Sequence, residues 1–285
     1  MNPLHTFKLG DFEVTIISEG NVFGDPNIVF EGMDENRWRP LTTLDYQGRM
    51  VFGLNIILIR SADRLILLDT GIGERFSARE RQIYGIDANA TLRSSLAAAG
   101  LDPADITIVA LTHLHFDHFC GCLMDGDDGP EPLFANAVHL VQRGEWEDAL
   151  NGHSTMKSSY RPDELQGLAE RIEVRRIEGE YRIAPGLTTF VTGGHTEWHQ
   201  GFRLDAGGRT LVYPGELVPT RSHIRPYWNM AYDMFPHQTL TAKQAFLAEA
   251  AAAGWIVAWD HDTVTPWSQI ARGNSGFVAV DVEAK

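Results

Sequence analysis

The chain has 285 residues, 44% of them hydrophobic, which is enough for one large domain or two small ones with a sizeable core. It carries 24 Lys and Arg against 38 Asp and Glu, a formal net charge of −14 at pH 7. Nucleic acids and anionic membranes are bound through clustered Lys and Arg, so this charge argues against both as partners and against a nuclease.

The N-terminal residues and the two cysteines bear on the cellular compartment. Residues 1–8 lack the basic flank and apolar core of a secretory signal, and no segment reaches the about 20 apolar residues needed to span a bilayer. Cys120 and Cys122 are separated only by Gly121, too close for ordinary disulfide geometry. We expect a soluble cytoplasmic protein whose two thiols pack as small apolar groups. A sulfur metal ligand or a redox pair is the alternative interpretation.

The first half of the chain predicts mostly strands. Alternating and β-branched residues favour strands at 12–18, 54–59, 64–69 and 106–111. A helix is predicted at 90–99, ended by Gly100. Residues 19–50 read as one long irregular stretch, and such stretches are usually functional loops. This one is predicted either to form a wall for an apolar substrate or to pack onto the body of the protein.

The second half predicts a similar arrangement. Strands are predicted at 137–141, 172–177, 187–191, 201–204, 210–213 and 255–259. Helices are predicted at 144–150 and 241–253, the second capped by Thr241 and ended by Gly254. Because the strands fall into two groups, each closed by helices, we expect an α/β protein with two sheets face to face and helices outside. We see no linker, so residues 1–285 are predicted to form a single domain.

A cluster of possible metal ligands follows the strand at 106–111. His113, His115, Asp117 and His118 fall within six residues, and imidazole is the commonest metal ligand in proteins. A single His near a strand end is more often a packed or surface residue. Four donors buried together without a partner would cost several kcal/mol of desolvation, however. The cluster therefore predicts a site for zinc, manganese or iron.

Three further donors each follow a predicted strand far downstream. They are His195, Glu216 and His261. With the cluster they bring the total to seven, more than one tetrahedral ion needs. Seven donors suit two ions that share a bridging carboxylate and a bridging hydroxide.

The order and spacing of these residues resemble the metallo-β-lactamase superfamily over most of the chain. The resemblance rests on Asp69-Thr-Gly71, His113-x-His115-x-Asp117-His118, Gly194-His195, an acid after a strand and the late His261. Flanking strings resemble the branch of quorum-quenching lactonases: Gln82-Ile-Tyr-Gly85, Thr112 to His118, Thr192-Gly-Gly-His195, Leu217-Val-Pro-Thr220, Trp228-Asn-Met-Ala-Tyr-Asp233 and His261-Asp262.

The resemblance implies an αβ/βα four-layer sandwich, two mixed β-sheets flanked by helices, with a dinuclear site at one edge. It also implies two divalent ions, with zinc favoured and manganese or iron open. The first ion would be bound by His113, His115 and His195. The second would be bound by Asp117, His118 and His261, and Glu216 would bridge the two.

The sequence departs from the family pattern at two positions. Glu216 replaces the family's bridging Asp, and its extra methylene moves the carboxylate by about 1.5 Å. Three outcomes are open for Glu216: it bridges the two ions after a backbone shift, it binds one ion only, or it binds neither and leaves the second position weak. We favour the outcomes in which Glu216 remains a metal ligand. Pro219 replaces a Tyr that helps hold the substrate carbonyl in acyl-homoserine lactonases. The candidates for this catalytic role are Tyr227, Tyr232 and His223, for which loop packing is the alternative.

Supporting residues are also predicted. Imidazoles that bind a metal usually donate their other N–H to a carboxylate or a carbonyl. Asp69 matches the family's Asp-Thr-Gly and is the best such partner. Asp262, beside His261, is a second candidate, although an exposed acid is the simpler account. His199 matches a family His that supports the site without binding metal.

The resulting hypothesis is hydrolysis of a lactone or ester, with an N-acyl-homoserine lactone considered as substrate. A metal-bridging hydroxide would attack the carbonyl carbon, and Asp117 would protonate the leaving alkoxide. Loops at about 19–50 and 217–238, the latter with Tyr227, Trp228, Met230, Tyr232 and Phe235, would border the site and form a pocket for an apolar acyl chain.

Several alternatives to this hypothesis stay open. A thioesterase of the glyoxalase II kind, with Arg221 and Arg225 at the pocket rim, or a phosphotriesterase would use the same site. Di-iron oxygen chemistry is disfavoured, because that branch typically has a Glu where this chain has His115. A metal-binding protein without catalysis would explain the ligands equally well. The expected partner is a small molecule, and a homodimer is left open.

Overall fold

The computed structural model describes residues 5–87, 89–127, 129–152 and 157–282, with only the backbone of Lys157 included. In these ranges the first large sheet has the spatial order β1 (His5–Leu9), β2 (Phe12–Gly24), β3 (Met50–Arg60), β4 (Leu65–Leu68), β5 (Ile108–Ala110), β8 (Val138–Gln142) and β9 (Val174–Ile177). Strands β6 (Leu123–Gly126) and β7 (Gly129–Pro132) form a separate two-stranded sheet and come between β5 and β8 in the sequence.

The second large sheet is formed by the later part of the chain. Its spatial order is β10 (Arg182–Ala184), β11 (Leu187–Val191), β12 (Gln200–Ala206), β13 (Arg209–Tyr213), β14 (Ile256–Ala258), β15 (Trp267–Gly273) and β16 (Gly276–Val280). Both sheets are mixed, because β4, β5, β8 and β9 pair in parallel in the first and β13 pairs in parallel with β14 in the second.

The helices lie outside the two sheets. They are α1 (Pro26–Val29), α2 (Glu35–Trp38), α3 (Ala78–Tyr84), α4 (Leu92–Ala98), α5 (Phe116–Phe119), α6 (Arg143–Asn151), α7 (Pro162–Ala169) and α8 (Pro236–Ala253). Within the described ranges, no helix combines the length and the apolar content needed to cross a membrane.

Strand alternation explains why the molecule has four layers. Successive side chains of a strand point to opposite faces, so Ile57 of β3 packs between the sheets while Ile56 packs toward the helices. The core between the sheets draws on both of them, for example Leu68 and Leu204. The outer face of the second sheet packs on α8 through residues such as Leu247. This helix–sheet–sheet–helix order confirms the predicted αβ/βα sandwich; that the chain is a single domain stays a prediction.

Residues 19–50 are more regular than the sequence predicted. Strand β2 continues to Gly24 past an irregularity between Ser18 and Asn21, and two one-turn helices follow. Asp25 and Asp34 start these helices, because each side chain accepts a hydrogen bond from a backbone N–H two residues later. The prediction of one irregular loop was therefore wrong for much of this range.

The predicted start of the last long helix was also wrong. Helix α8 begins at Pro236, five residues before Thr241, and Pro is well suited to the first turn because it lacks an N–H to satisfy. The Thr241 hydroxyl lies inside the helix and donates to the His237 carbonyl at 2.9 Å. The predicted end is confirmed, since Gly254 follows the helix with φ +65.

The two cysteines pack as predicted. Both are free thiols, fully buried in the core between the first sheet and its helices. The Cys122 sulfur lies 3.4 Å from the Thr70 hydroxyl. Within the described residues, neither belongs to a group of potential metal donors.

Candidate metal centre

The seven predicted ligands lie together in two groups. Donor atoms of His113, His115 and His195 all lie within 4.8 Å of one another. A second group with the same spacing is formed by Asp117, His118, Glu216 and His261. The division is the one that the family resemblance implies, and Glu216 lies with the second group.

The position of these residues follows from strand ends. The His113–His118 segment follows β5, and its last residues form the single turn α5. His195 follows β11, Glu216 follows β13 and His261 follows β14. Each group therefore takes donors from both sheets and lies at the edge where these strands end.

Asp69 supports His118, as predicted. Its Oδ2 accepts a hydrogen bond from His118 Nδ1 at 3.0 Å, and from the Tyr213 hydroxyl at 3.0 Å. Its Oδ1 accepts from the Thr112 backbone N–H at 2.7 Å. Asp69 has φ +61, a conformation that costs free energy for a residue with a side chain, so these three contacts stabilise a strained backbone.

His199 supports the site without belonging to either donor group. Its Nε2 accepts a hydrogen bond from the Glu216 N–H at 3.2 Å, and its Nδ1 lies 2.6 Å from the Thr192 hydroxyl. Gly215 makes this approach possible, because it has φ +54 and a Cβ there would lie 2.8 Å from His199 Nε2. His199 therefore contacts the backbone of a predicted ligand, which is consistent with the supporting role predicted for it.

Asp262 does not support His261, and that prediction was wrong. His261 Nδ1 donates to the Gly53 carbonyl at 2.8 Å instead. The Asp262 carboxylate accepts from the backbone N–H groups of Arg221, Val264 and Thr265. Asp262 therefore orders the loops on either side of His261 and faces away from the donors.

The sequence did not predict a role for two buried acidic residues that support the site, Asp233 and Glu145. Asp233 Oδ1 accepts from His195 Nδ1 at 3.1 Å, and its only sequence signal is its place at the end of the Trp228–Asp233 string. Glu145 accepts from the Leu114 N–H at 3.0 Å and the Thr196 hydroxyl at 2.6 Å, joining the cluster to the His195 loop. An isolated acid within a helix gives no local signal of such a role.

The first group contains only imidazole donors, whereas the second includes two carboxyl groups. Burial, and then the neighbouring imidazoles, lower the pKa of His113 and His115 well below the usual value, so both are neutral. In the second group burial opposes the charge of His261, but Asp260 and Glu216 outweigh it and raise its pKa to about 10. Burial raises the pKa of the Glu216 carboxyl, yet the nearby His261 and His195 lower it overall, well below its usual range.

Orphaned donor atoms test whether metal ions fit these residues. His113 Nε2, His118 Nε2 and Glu216 Oε2 are buried and have no hydrogen-bond partner among the described residues. Leaving such atoms unpaired costs several kcal/mol, and lone pairs of this kind are what a divalent ion binds. The donor set therefore fits two divalent ions.

A cavity of about 790 Å³ opens onto both groups. Its apolar and aromatic lining includes Val22, Phe23, Ile28, Phe52, Tyr84 and Phe116, and its metal side includes His115, Asp117, His195, Glu216 and His261. Residues of the 19–50 stretch thus line the cavity, as one of the two predictions required. Tyr84 and Phe116 were not predicted to do so.

Of the three predicted carbonyl-binding residues, the structure brings only Tyr232 to the cavity. Its ring centroid lies 5.8 Å from that of His195. Tyr227 is 71% exposed and does not line the cavity. His223 is fully buried; its Nε2 donates to the Val29 carbonyl at 3.2 Å and its ring stacks on Phe30. Neither is placed to contact a substrate in this cavity.

The predicted apolar lining from the later loop is also smaller than expected. Ala231 and Tyr232 line the cavity, whereas Trp228 and Met230 are buried beneath it and Phe235 is not part of its wall. The ring of Trp228 packs edge-on against Phe30. Trp228 and Met230 are therefore used to pack the loop, whereas Phe235 is 38% exposed.

Comparison with known proteins agrees with the fold. Residues 49–261 match the model of the metallo-β-lactamase superfamily. The chain belongs to the metallo-β-lactamase superfamily. Its match extends from just before β3 to the last donor, His261.

Two similar curated proteins are lactonases. An N-acyl homoserine lactonase of Bacillus thuringiensis is 27% identical over 158 residues, 52% of this chain and 56% of the relative. The N-acyl homoserine lactonase AttM of Azorhizobium caulinodans is 34% identical over 142 residues, 48% of this chain and 49% of the relative. The chain thus spans about half the length of the curated relatives it matches.

Solved structures share the fold over nearly the whole chain. A probable metal-dependent hydrolase from Staphylococcus aureus is similar with a TM-score of 0.88 at 24% identity, covering 98% of this chain and 100% of that chain. AidC, a dizinc quorum-quenching lactonase, is similar with a TM-score of 0.79 at 20% identity, covering 98% of this chain and 97% of that chain. At these identities the likeness concerns the fold.

Proposed function

We propose that the chain is a metal-dependent hydrolase that opens lactones, with N-acyl homoserine lactones as its substrate class and quorum quenching as its role. The observation that carries the proposal is the cavity of about 790 Å³, whose apolar wall leads directly to both donor groups. The wall suits an acyl chain, and the donor side suits a lactone carbonyl. The names of the relatives support the same substrate class.

The chemistry would be shared between two ions and two side chains. Two divalent ions, for which we propose zinc because five of the seven donors are imidazoles, would supply a hydroxide near neutral pH and polarise the carbonyl. Asp117 lines the cavity with its side chain 20% exposed, so its carboxylate could accept the proton of the hydroxyl group added to the carbonyl carbon and pass it to the leaving alkoxide. Tyr232 lines the same cavity beside His195, which supports a role in which its hydroxyl would donate a hydrogen bond to the carbonyl.

The residues of the cavity favour a neutral substrate over a glutathione thioester. Arg221 and Arg225 line a different cavity, and Arg221 is paired with Asp262. Among the described lining residues of the large cavity, Arg49 is the one Lys or Arg, and it is paired with Asp45 at 2.8 Å. An anionic substrate would therefore meet no unpaired Lys or Arg of the described wall.

The test is hydrolysis of a graded panel on full-length protein reconstituted with zinc, manganese or iron. The panel contains N-acyl homoserine lactones of increasing acyl length, a glutathione thioester and a phosphotriester. We expect lactone opening that depends on acyl length, together with two bound ions per chain. Preference for the thioester or phosphotriester would replace the proposed substrate, and a flat profile at saturating metal would favour a metal-binding protein without catalysis. Cytoplasmic location and a homodimer stay predictions.

A further inference from the structure

Asp260 has a buried carboxylate that the proposed chemistry does not use. The residue is 2% exposed, and neither carboxylate oxygen has a hydrogen-bond partner among the described residues. A carboxylate removed from water without partners costs several kcal/mol or more. Burial therefore leaves this carboxyl with hydrogen-bonding capacity that the described side chains do not meet and that a bound water can meet.

The Asp260 carboxylate faces the second donor group. Its Oδ2 lies 3.9 Å from Nε2 of His261. It also lines a void of about 10 Å³, whose other walls include Asp117, His118 and Tyr213. A void of this size is close to the about 10–15 Å³ that one water molecule requires.

Asp260 lies near one donor, His261, but is not within reach of the whole second group. The atoms of Asp117, His118, Glu216 and His261 lie within 4.8 Å of one another, and Asp260 is not part of that set. The void is lined by Asp260 and by three of these four residues, Asp117, His118 and His261. One water in the void would therefore join the Asp260 carboxylate to the second metal position.

We propose that Asp260 is an additional acidic group of the second metal position and acts on that ion through one water held in the void. The inference rests on the proposed dinuclear centre. It gives the second position three carboxylates, whereas the first has three imidazoles as donors. Oxygen donors suit manganese and imidazoles suit zinc, so the two positions differ in metal preference.

The experiment measures metal binding instead of turnover. Metal-free, full-length protein is dialysed against Mn²⁺ or Zn²⁺, bound metal is counted by mass spectrometry, and bound Mn²⁺ is followed by electron paramagnetic resonance. We expect Asp260→Asn to weaken one of the two binding steps by about 10- to 100-fold, more for Mn²⁺ than for Zn²⁺. Asp117→Asn is expected to weaken binding at the second position, and Asp233→Asn is expected to weaken binding at the first. Together they show which binding step belongs to which position.

Two further variants complete the experiment, one as a control and one as a second test of Asp260. Asp205→Asn removes a surface acid that is paired with Arg203, and it is expected to leave both binding steps unchanged. If Asp260→Asn alters the circular dichroism spectrum, Asp260→Ser is used, and the same loss at the second step is expected. The second variant keeps the site polar and leaves more room for water.

The outcomes separate this inference from the proposed function. Wild-type affinity and metal preference in Asp260→Asn would overturn the role of Asp260 while leaving the dinuclear centre intact. Equal weakening of both steps would also overturn it, because the effect would not be specific to the second position. A single bound ion in the wild-type protein would instead overturn the dinuclear centre, and this inference with it.

Discussion

His195 Nδ1 donates a hydrogen bond to Asp233 Oδ1 across 3.1 Å, with both side chains almost fully buried. The contact fixes the orientation of the His195 ring and turns its Nε2 toward His115, whose Nδ1 lies 3.0 Å away. Asp233 is itself fixed by the Met230 N–H, which donates to its other oxygen at 3.1 Å. Asp233 thus links the loop before α8 to the first donor group.

Replacing Asp233 by Asn should weaken binding of the first ion by about 10- to 100-fold, because partners of metal-binding imidazoles have effects of this size. Competition with a chromophoric zinc chelator measures the change. Asp205→Asn, at a surface carboxylate paired with Arg203, is the matched control and should bind zinc as the wild type does. Equal zinc affinity of the Asp233 variant and the control would contradict the role of Asp233.

Tyr232→Phe should lower kcat/KM for lactones by roughly 100-fold, since loss of one donor to a developing oxyanion has about this effect. Tyr227→Phe is the control, because Tyr227 is 71% exposed and lies outside the cavity wall. Metal content should be the same in both variants. If the two variants retain similar activity, another group must bind the carbonyl.

Asp117→Asn should lower kcat by about 100-fold or more, because an amide cannot protonate the leaving alkoxide. Asp117 is also a donor of the second group, so metal content must be measured beside the rate. The rate is compared at metal concentrations that fill both positions. Unchanged turnover with two ions bound would exclude Asp117 as the general acid.

Glu19 should make stability depend on pH. Burial raises its pKa from 4.5 to about 8, although it accepts hydrogen bonds from the Ile72 and Gly73 N–H groups. The folded state therefore binds the proton more tightly, so this stability is fully present below pH 4.5 and is lost as the pH rises through 8.

The measurement is urea unfolding of the wild type and Glu19→Gln between pH 4.5 and 8. The free energy of unfolding should fall more steeply with pH in the wild type, by at most about 1.4 kcal/mol per pH unit. Glu13→Gln, at an acid whose side chain is 41% exposed, should retain the wild-type slope. Parallel slopes for the wild type and Glu19→Gln would contradict the prediction.

The donors could be predicted from sequence because each follows a short apolar run that forms a strand. His113, His195 and His261 all follow strands in this way. The chain order of the donors resembles one family, and that resemblance supplied the division into two groups. Local pattern and family order together therefore predicted most of the centre.

Other parts of the site depend on packing between distant segments, which no local pattern records. Asp233 and Glu145 act through contacts 38 and 31 residues away. Tyr84 reaches the cavity because α3 packs against β2, and its ring lies 4.9 Å from that of Phe116. Nearness in sequence can also mislead. His223 lies close to the donor Glu216 in sequence, but its side chain packs on Phe30 and does not reach the cavity.

Each donor group takes residues from both halves of the sandwich, so an ion at either position would join the two sheets as a cross-link does. His113 and His115 come from the first sheet and His195 from the second, and the second group is divided in the same way. An ion that binds only the folded chain stabilises it by about 2.7 kcal/mol at 100 times its dissociation constant. Removing the metal would therefore weaken the contact between the two sheets at the donor residues. Faster protease cleavage near these residues in metal-free protein would show this weakening.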